Sequence, residues 1–119
     1  MSNLRVAVVE DDESFRESLE ALLQSVGYEV LSFHSGEGLL QSGRVADIDY
    51  LVTDFGLPGM DGIDLLRAVH AIRPDLPVML LTARPEAEIL SRALAEGARR
   101  ALRKRVDPSA LLEAIASGS

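Results

Sequence analysis

Six side chains with complementary chemistry stand at the ends of short apolar runs. Glu10, Asp11 and Asp12 follow the run from Leu4 to Val9. Asp54 follows Leu51-Val52-Thr53 and opens the Pro/Gly-rich stretch Phe55-Gly56-Leu57-Pro58-Gly59-Met60-Asp61-Gly62. Thr82 follows Pro77 to Leu81, and Lys104 follows Ala98 to Leu102. Carboxylates drawn together repel unless a cation neutralises them. Oxygen donors without Cys or paired His favour Mg2+ over zinc. Magnesium beside an ammonium and a hydroxyl makes a site for a phosphoryl group, where catalysis is mostly positioning and charge neutralisation. The nucleophile can itself be a carboxylate, giving an aspartyl phosphate. No G-x-x-x-x-G-K-[ST] loop and no helix-opening G-x-G-x-x-G is present, so a donor other than ATP is expected.

Each of these residues also has an ordinary reading when taken alone. An Asp at a strand end is usually a turn former or a helix cap. The acidic group at 10–12 complements the dipole of a following helix, and Asp12 is expected to serve mainly there. Thr82 alone is a strand-end hydroxyl. Lys104 is the only Lys in a chain that otherwise uses Arg, and a compact point charge suits a single phosphoryl oxygen. His34 and His70 fall outside the set and read as surface or loop residues, while Met60 and Met79 read as packing residues.

The elements that must position these groups alternate. Leu4 to Val9, Tyr28 to Phe33, Ile48 to Thr53, Pro77 to Leu81 and Ala98 to Leu102 read as strands, the last crowded by Arg99, Arg100 and Arg103. Between them, apolar residues recur at helical spacing: Phe15, Leu19, Leu22, Leu23 and Val26, closed by Gly27, then Ile63, Leu66, Val69 and Ile72, closed by Arg73-Pro74. A short helix is expected from Ser35 to about Ser42. Another begins at Pro85 and carries Ile89, Leu90, Ala93 and Leu94 to Gly97. Asp107-Pro108 caps a last helix with Leu111, Leu112 and Ile115. The pattern is (βα)5 with short loops, an α/β fold whose parallel sheet carries helices on both faces. Ligands sit beyond the carboxyl ends of such strands. In the doubly wound order 2-1-3-4-5, Glu10, Asp11, Asp12, Asp54, Thr82 and Lys104 all face one crevice.

A chain of 119 residues is expected to form one domain over 1–119. Its net charge of −7 argues against direct nucleic-acid binding and suits a protein that holds a cation. The absence of Cys excludes a disulfide scaffold and any thiolate metal site. No signal peptide is apparent, and no run approaches the roughly 18–20 apolar residues that cross a bilayer, so a cytoplasmic location without membrane contact is expected.

The set of spaced motifs resembles the response regulator receiver domain, a flavodoxin-like fold of two-component signal transduction. The resemblance rests on Val8-Val9-Glu10-Asp11-Asp12, on Thr53 to Gly62, on Leu81-Thr82-Ala83, and on Lys104 with Val106-Asp107, and it covers the whole chain. It implies that Asp54 is the phosphoacceptor and that a sensor histidine kinase is the donor. It implies Mg2+ bound by Asp11, by Glu10 largely through water, by Asp54 and by the backbone carbonyl of Gly56. Thr82 would hydrogen-bond the phosphoryl oxygens, Lys104 would neutralise one of them, and the small Ala83 would leave room. Such a domain phosphorylates and dephosphorylates itself and is not a turnover enzyme. The wording of the Thr53–Gly62 motif resembles receivers coupled to helix-turn-helix output domains, which implies transcription regulation by a longer chain continuing beyond Ser119.

The sequence departs from that family at two places. Arg105 stands where Pro usually follows the Lys, often across a cis peptide, so trans geometry and a reshaped loop are expected. Ala101 stands where a switching aromatic residue is usual. Two positions that usually tune phosphoryl lifetime carry Gly56, without a side chain, and Arg84, a further cation. Arg92, Arg99, Arg100, Arg103, Lys104 and Arg105 gather in the last third of the chain. They form either a solvated rim or a face, from the fourth helix through the fifth strand to the fifth helix, that meets an output domain or a second copy. Two other readings stand beside the first. One is an atypical receiver acting as a phosphorylation-independent binding module. The other is an enzyme of the same architecture, a flavin binder or a haloacid-dehalogenase-type phosphatase; against these, Glu10 occupies the nucleophile place and the acidic run 10–13 repels phosphate unless metal-bound.

Overall fold

A run of five apolar residues spans about 17 Å as a strand, and burying it on both faces requires covering layers above and below. The computed structural model describes residues 4–83 and 86–118 and has this arrangement. In chain order the elements are β1 (Arg5–Val9), α1 (Glu13–Ser25), β2 (Glu29–Phe33), α2 (Gly36–Ser42), β3 (Tyr50–Asp54), α3 (Gly62–Ile72), β4 (Val78–Thr82), α4 (Ala87–Ala95), β5 (Arg100–Arg103) and α5 (Pro108–Ser117). A single 3-10 turn, Val45–Asp47, leads into β3. The strands pair in parallel in the order β2-β1-β3-β4-β5, as the alternating pattern predicts. No helix among the described residues is long and apolar enough to cross a membrane.

Successive strand residues point to opposite faces, so the sheet separates two apolar layers. Ala7, Val9, Leu51 and Leu80 meet Leu39, Ile63, Leu66 and Val69 on one side. Val6, Val8, Val52 and Leu81 meet Leu19, Leu23, Leu111 and Ile115 on the other. Every residue of β3 and β4 is buried. At about 1.5–3 kcal/mol per fully buried large aliphatic side chain, these two central strands hold the sheet that carries the site.

The differences from expectation are local. Ile48 is buried but lies outside β3, because the Arg73 guanidinium takes its carbonyl and that of Val45. The fifth strand begins later than expected, at Arg100, because the Ala98 N–H returns to Ala93 O. Val26, Ile72 and Leu94, placed by periodicity on apolar faces, are exposed. His34 is exposed, but His70 is half-buried in α3, its Nε2 2.9 Å from Leu76 O, so it is not the surface or loop residue expected. Met79 is buried, and Met60 packs against the core. The expectations for Arg84 and Pro85 lie outside the described residues.

Candidate functional site

The carboxyl ends of β1, β3, β4 and β5 supply the site. Beyond β1, the Glu10 N–H donates to Phe33 O at 3.0 Å and carries the ladder one residue further. This draws the Glu10 side chain inward, leaving it 1% exposed. Its Oε2 accepts from the Asp12 N–H at 3.0 Å, and its carbonyl accepts from Arg16 Nη1 at 2.8 Å. Asp12 caps α1 by accepting from the Phe15 N–H, which is the role expected of it. Asp11, between them, is exposed.

Asp54 is the last residue of β3 and only 6% exposed. Beyond it, the Phe55 N–H donates to Leu81 O at 2.7 Å, and Phe55 O accepts from Leu57 N and Gly62 N. The loop is thereby folded back under Asp54, with α3 opened by a capping box between Asp61 and Asp64. Gly59 turns the chain at φ +73°, and the adjacent Met60 N–H donates to Glu37 Oε2 at 3.3 Å. Gly62 approaches so closely that an added Cβ would lie 2.5 Å from Asp54 O.

Thr82 ends β4 and is 2% exposed. Its carbonyl accepts from the Lys104 N–H at 2.8 Å, which registers Lys104 beside Asp54. Lys104 Nζ lies 3.1 Å from both Glu10 carboxylate oxygens and 3.8 Å from Asp54 Oδ2. The Phe15 ring centroid is 4.8 Å from the same nitrogen. Asp11, Asp54, Gly56, Thr82, Ala83 and Lys104 line one open cleft. The expected site residues therefore converge. Lys104 reaches both carboxylates with no cis peptide bond among the described residues, in keeping with the trans geometry expected at Arg105.

One ammonium faces more than one carboxylate. Burial pushes the Asp54 carboxyl above its ordinary range; Lys104 opposes this, Asp11 adds to it, and the Gly56 and Phe55 backbone N–H groups oppose it. Glu10 is also raised, first by burial, against the Asp12 N–H and Lys104. Burial alone lowers Lys104, but the hydrogen bond to Glu10 and the charges of Asp54, Glu10 and Asp12 outweigh it and raise the ammonium. Single carboxylate oxygens of Glu10, Asp11 and Asp54 lie within 4.8 Å of one another. This all-oxygen, negatively charged donor set fits a hard divalent cation. Helical periodicity marks Phe15 only as an apolar helix residue, and nothing around the lone Lys signals the aromatic ring that lies against it.

The response regulator receiver domain family matches residues 6–116. The chain is 33% identical over 113 residues to the transcriptional regulatory protein FixJ of Azorhizobium caulinodans, covering 95% of this chain and 54% of that protein. It is 33% identical over 95 residues to the cell cycle transcriptional regulator CtrA of Caulobacter vibrioides, covering 80% of this chain and 41% of that protein. The chain thus spans about half the length of these relatives. A crystal structure of a response regulator receiver domain protein from Clostridium thermocellum superposes with a TM-score of 0.91 at 30% identity, covering 97% of this chain and 93% of that one. With the five-stranded 2-1-3-4-5 sheet, the match over residues 6–116 establishes that the chain belongs to the response regulator receiver domain family of two-component systems.

Proposed function

We propose that this receiver takes a phosphoryl group from the phosphohistidine of a sensor histidine kinase onto Asp54, with Mg2+ held by Glu10, Asp11, Asp54 and the Gly56 backbone carbonyl. The observation that carries this reading is the buried Asp54 carboxylate at a strand end, 3.8 Å from Lys104 Nζ and clustered with two further carboxylates. In the transfer, an Asp54 carboxylate oxygen attacks phosphorus, the P–N bond to the donor breaks, and its electron pair leaves with the imidazole. Bound Mg2+ supplies charge neutralisation at the phosphoryl oxygens. The Thr82 hydroxyl donates to one of those oxygens, Lys104 pairs with another, and Ala83 leaves the approach open. The chain acts on itself and is not a turnover enzyme.

The phosphoryl group adds about −1.5 to −2 charge, which draws Lys104 from Glu10 toward Asp54. From there the change passes to the face of α4, β5 and α5, where an output domain or a second copy docks. Both relatives are named as transcriptional regulators, which supports a cytoplasmic, transcription-regulating full-length protein with an output domain beyond this one. The receiver itself makes no direct contact with nucleic acid or membrane. Its signal route is unusual: Ala101, half-buried against the core, has no ring to swing inward.

Incubation with Mg2+ and a small acyl-phosphate donor, followed by intact-mass measurement, tests the assignment. Wild type gains the mass of one phosphoryl group and Asp54→Asn gains none; an equal gain in both overturns it. Ala101 is also what supports the second reading, a phosphorylation-independent binding module. Partner binding unchanged by Asp54→Asn and by Mg2+ removal selects that reading.

A further inference from the structure

Lys104 stands at the end of a short edge strand and is followed by an exposed Arg105 rather than a ring-locked residue. Its backbone is registered by the bond to Thr82 O, but four rotatable side-chain bonds lie between that anchor and the ammonium. Glu10 holds the ammonium from just beyond β1, and the Phe15 ring meets it from α1 at 4.8 Å. An ammonium within about 6 Å of a ring centroid is attracted by the ring quadrupole. Phe15 is itself fixed: its N–H donates to Asp12 Oδ1 at 3.3 Å, and its ring packs on the layer of Leu19 and Leu111.

We propose that Phe15 is a positioning residue for Lys104: its ring keeps the ammonium over the acceptor cleft while the Glu10 carboxylate is engaged elsewhere. This rests on the proposed phosphoryl chemistry, in which a cation takes up Glu10 and releases Lys104 from its strongest partner. The ring face then limits the arc through which the lysine swings and spares it a search of open solvent. An isobutyl group at position 15 keeps the apolar contact with Leu19 but offers no π face, whereas a phenol keeps both.

Because Lys104 is the only Lys of the chain, protein made with 13C,15N-lysine gives a single side-chain signal. In wild type and Phe15→Tyr, the Lys104 ε-methylene protons are displaced upfield by the ring current; in Phe15→Leu they return to the ordinary position while the amide spectrum keeps its native dispersion. Phosphoryl uptake from a small acyl phosphate at saturating Mg2+ is roughly two- to five-fold slower in Phe15→Leu and close to wild type in Phe15→Tyr. An unchanged Lys104 signal in Phe15→Leu overturns the proposal. So does an equal loss of uptake in the Leu and Tyr variants, or an unchanged uptake rate in Phe15→Leu. If wild type itself takes up no phosphoryl group, the functional reading fails, and the lysine signal still reports separately whether the ring holds the ammonium.

Discussion

Lys104 Nζ is closer to Glu10 than to Asp54: 3.1 Å to both Glu10 oxygens against 3.8 Å to Asp54 Oδ2. The ammonium thus spends its charge on a buried carboxylate that lies outside the cleft lining, and Asp54 receives the weaker share. A divalent cation that claims Glu10 frees the lysine for Asp54. On the proposed reading of the site, cation binding and lysine release are coupled.

Lys104→Met therefore leaves Glu10 and Asp54 buried with no ammonium between them. Without Mg2+ the variant is expected to lose about 2–3 kcal/mol at neutral pH, below the range for a fully buried pair because the lysine side chain is 18% exposed. With saturating Mg2+ most of that loss disappears, since the cation replaces the missing charge. Urea unfolding with and without Mg2+ measures both. Equal losses in the two conditions contradict the shared-charge account.

The same cluster sets a pH dependence. Burial is the main cause raising the folded-state pKa of both Asp54 and Glu10 above the unfolded values. Folded protein therefore binds more protons than unfolded chain in that window. The stability these groups contribute is fully present below the ordinary carboxylate pKa and is lost as pH rises through the raised folded values. Asp54→Asn removes one of them. In Mg2+-free buffer at pH 7 it is expected to stabilise by roughly 1 kcal/mol, on the order of 4 °C for a domain of this size. The gain shrinks toward zero as pH falls below about 4. Thermal unfolding of the two proteins across that range gives the difference directly; a gain that grows toward acid contradicts the sign.

Much of this was legible in the residues because both halves of the pattern are local. Five apolar runs punctuated by Gly, Pro and acidic residues fix the alternation of elements, and topology then gathers the strand ends. Asp54, Glu10, Asp11, Thr82 and Lys104 meet for that reason. What could not be read depends on side chains reaching across elements. Arg73 takes the carbonyls of Val45 and Ile48, so Ile48 leaves the strand that its apolarity suggested. His70 turns inward to Leu76 O. Glu37 reaches from α2 to the Met60 N–H, and Phe15 lies against Lys104 across 89 positions (104 − 15) of sequence. Neither periodicity nor spacing encodes such contacts.

Asp11 separates the cost of the cluster from its use. It is exposed, so it adds little to the burial of charge, yet one of its oxygens belongs to the group within 4.8 Å. Asp11→Asn is expected to change stability by no more than about 0.5 kcal/mol without Mg2+, as for other surface substitutions. In wild type, Mg2+ at a hundred times its dissociation constant is expected to add about 2.7 kcal/mol. The variant needs a far higher Mg2+ concentration for the same shift. A thermal titration with MgCl2 decides it, and superimposable curves remove Asp11 from the ligand set.

Gly62 tests whether the acceptor depends on the close approach of α3. A Cβ there would lie 2.5 Å from Asp54 O, 2.8 Å from Phe55 Cα and 3.1 Å from Asp54 C. All three are backbone atoms, so no flexible side chain can give way, and the Gly62 N–H is already bonded to Phe55 O at 2.9 Å. Gly62→Ala must push α3 off the loop or move the carbonyl of Asp54 itself. Either route is expected to cost about 2–4 kcal/mol, at or above the usual range for overpacking a core. At Gly56, by contrast, the nearest atom to an added Cβ is Asp54 Oδ2 at 3.8 Å, an ordinary contact. Gly56→Ala should therefore unfold within about 1 kcal/mol of wild type. Urea midpoints for the two variants, with intact-mass phosphoryl uptake measured beside them, separate a displaced acceptor from a merely crowded cleft. Equal midpoints for Gly62→Ala and wild type show that the loop can yield, and the acceptor is then not held by that approach.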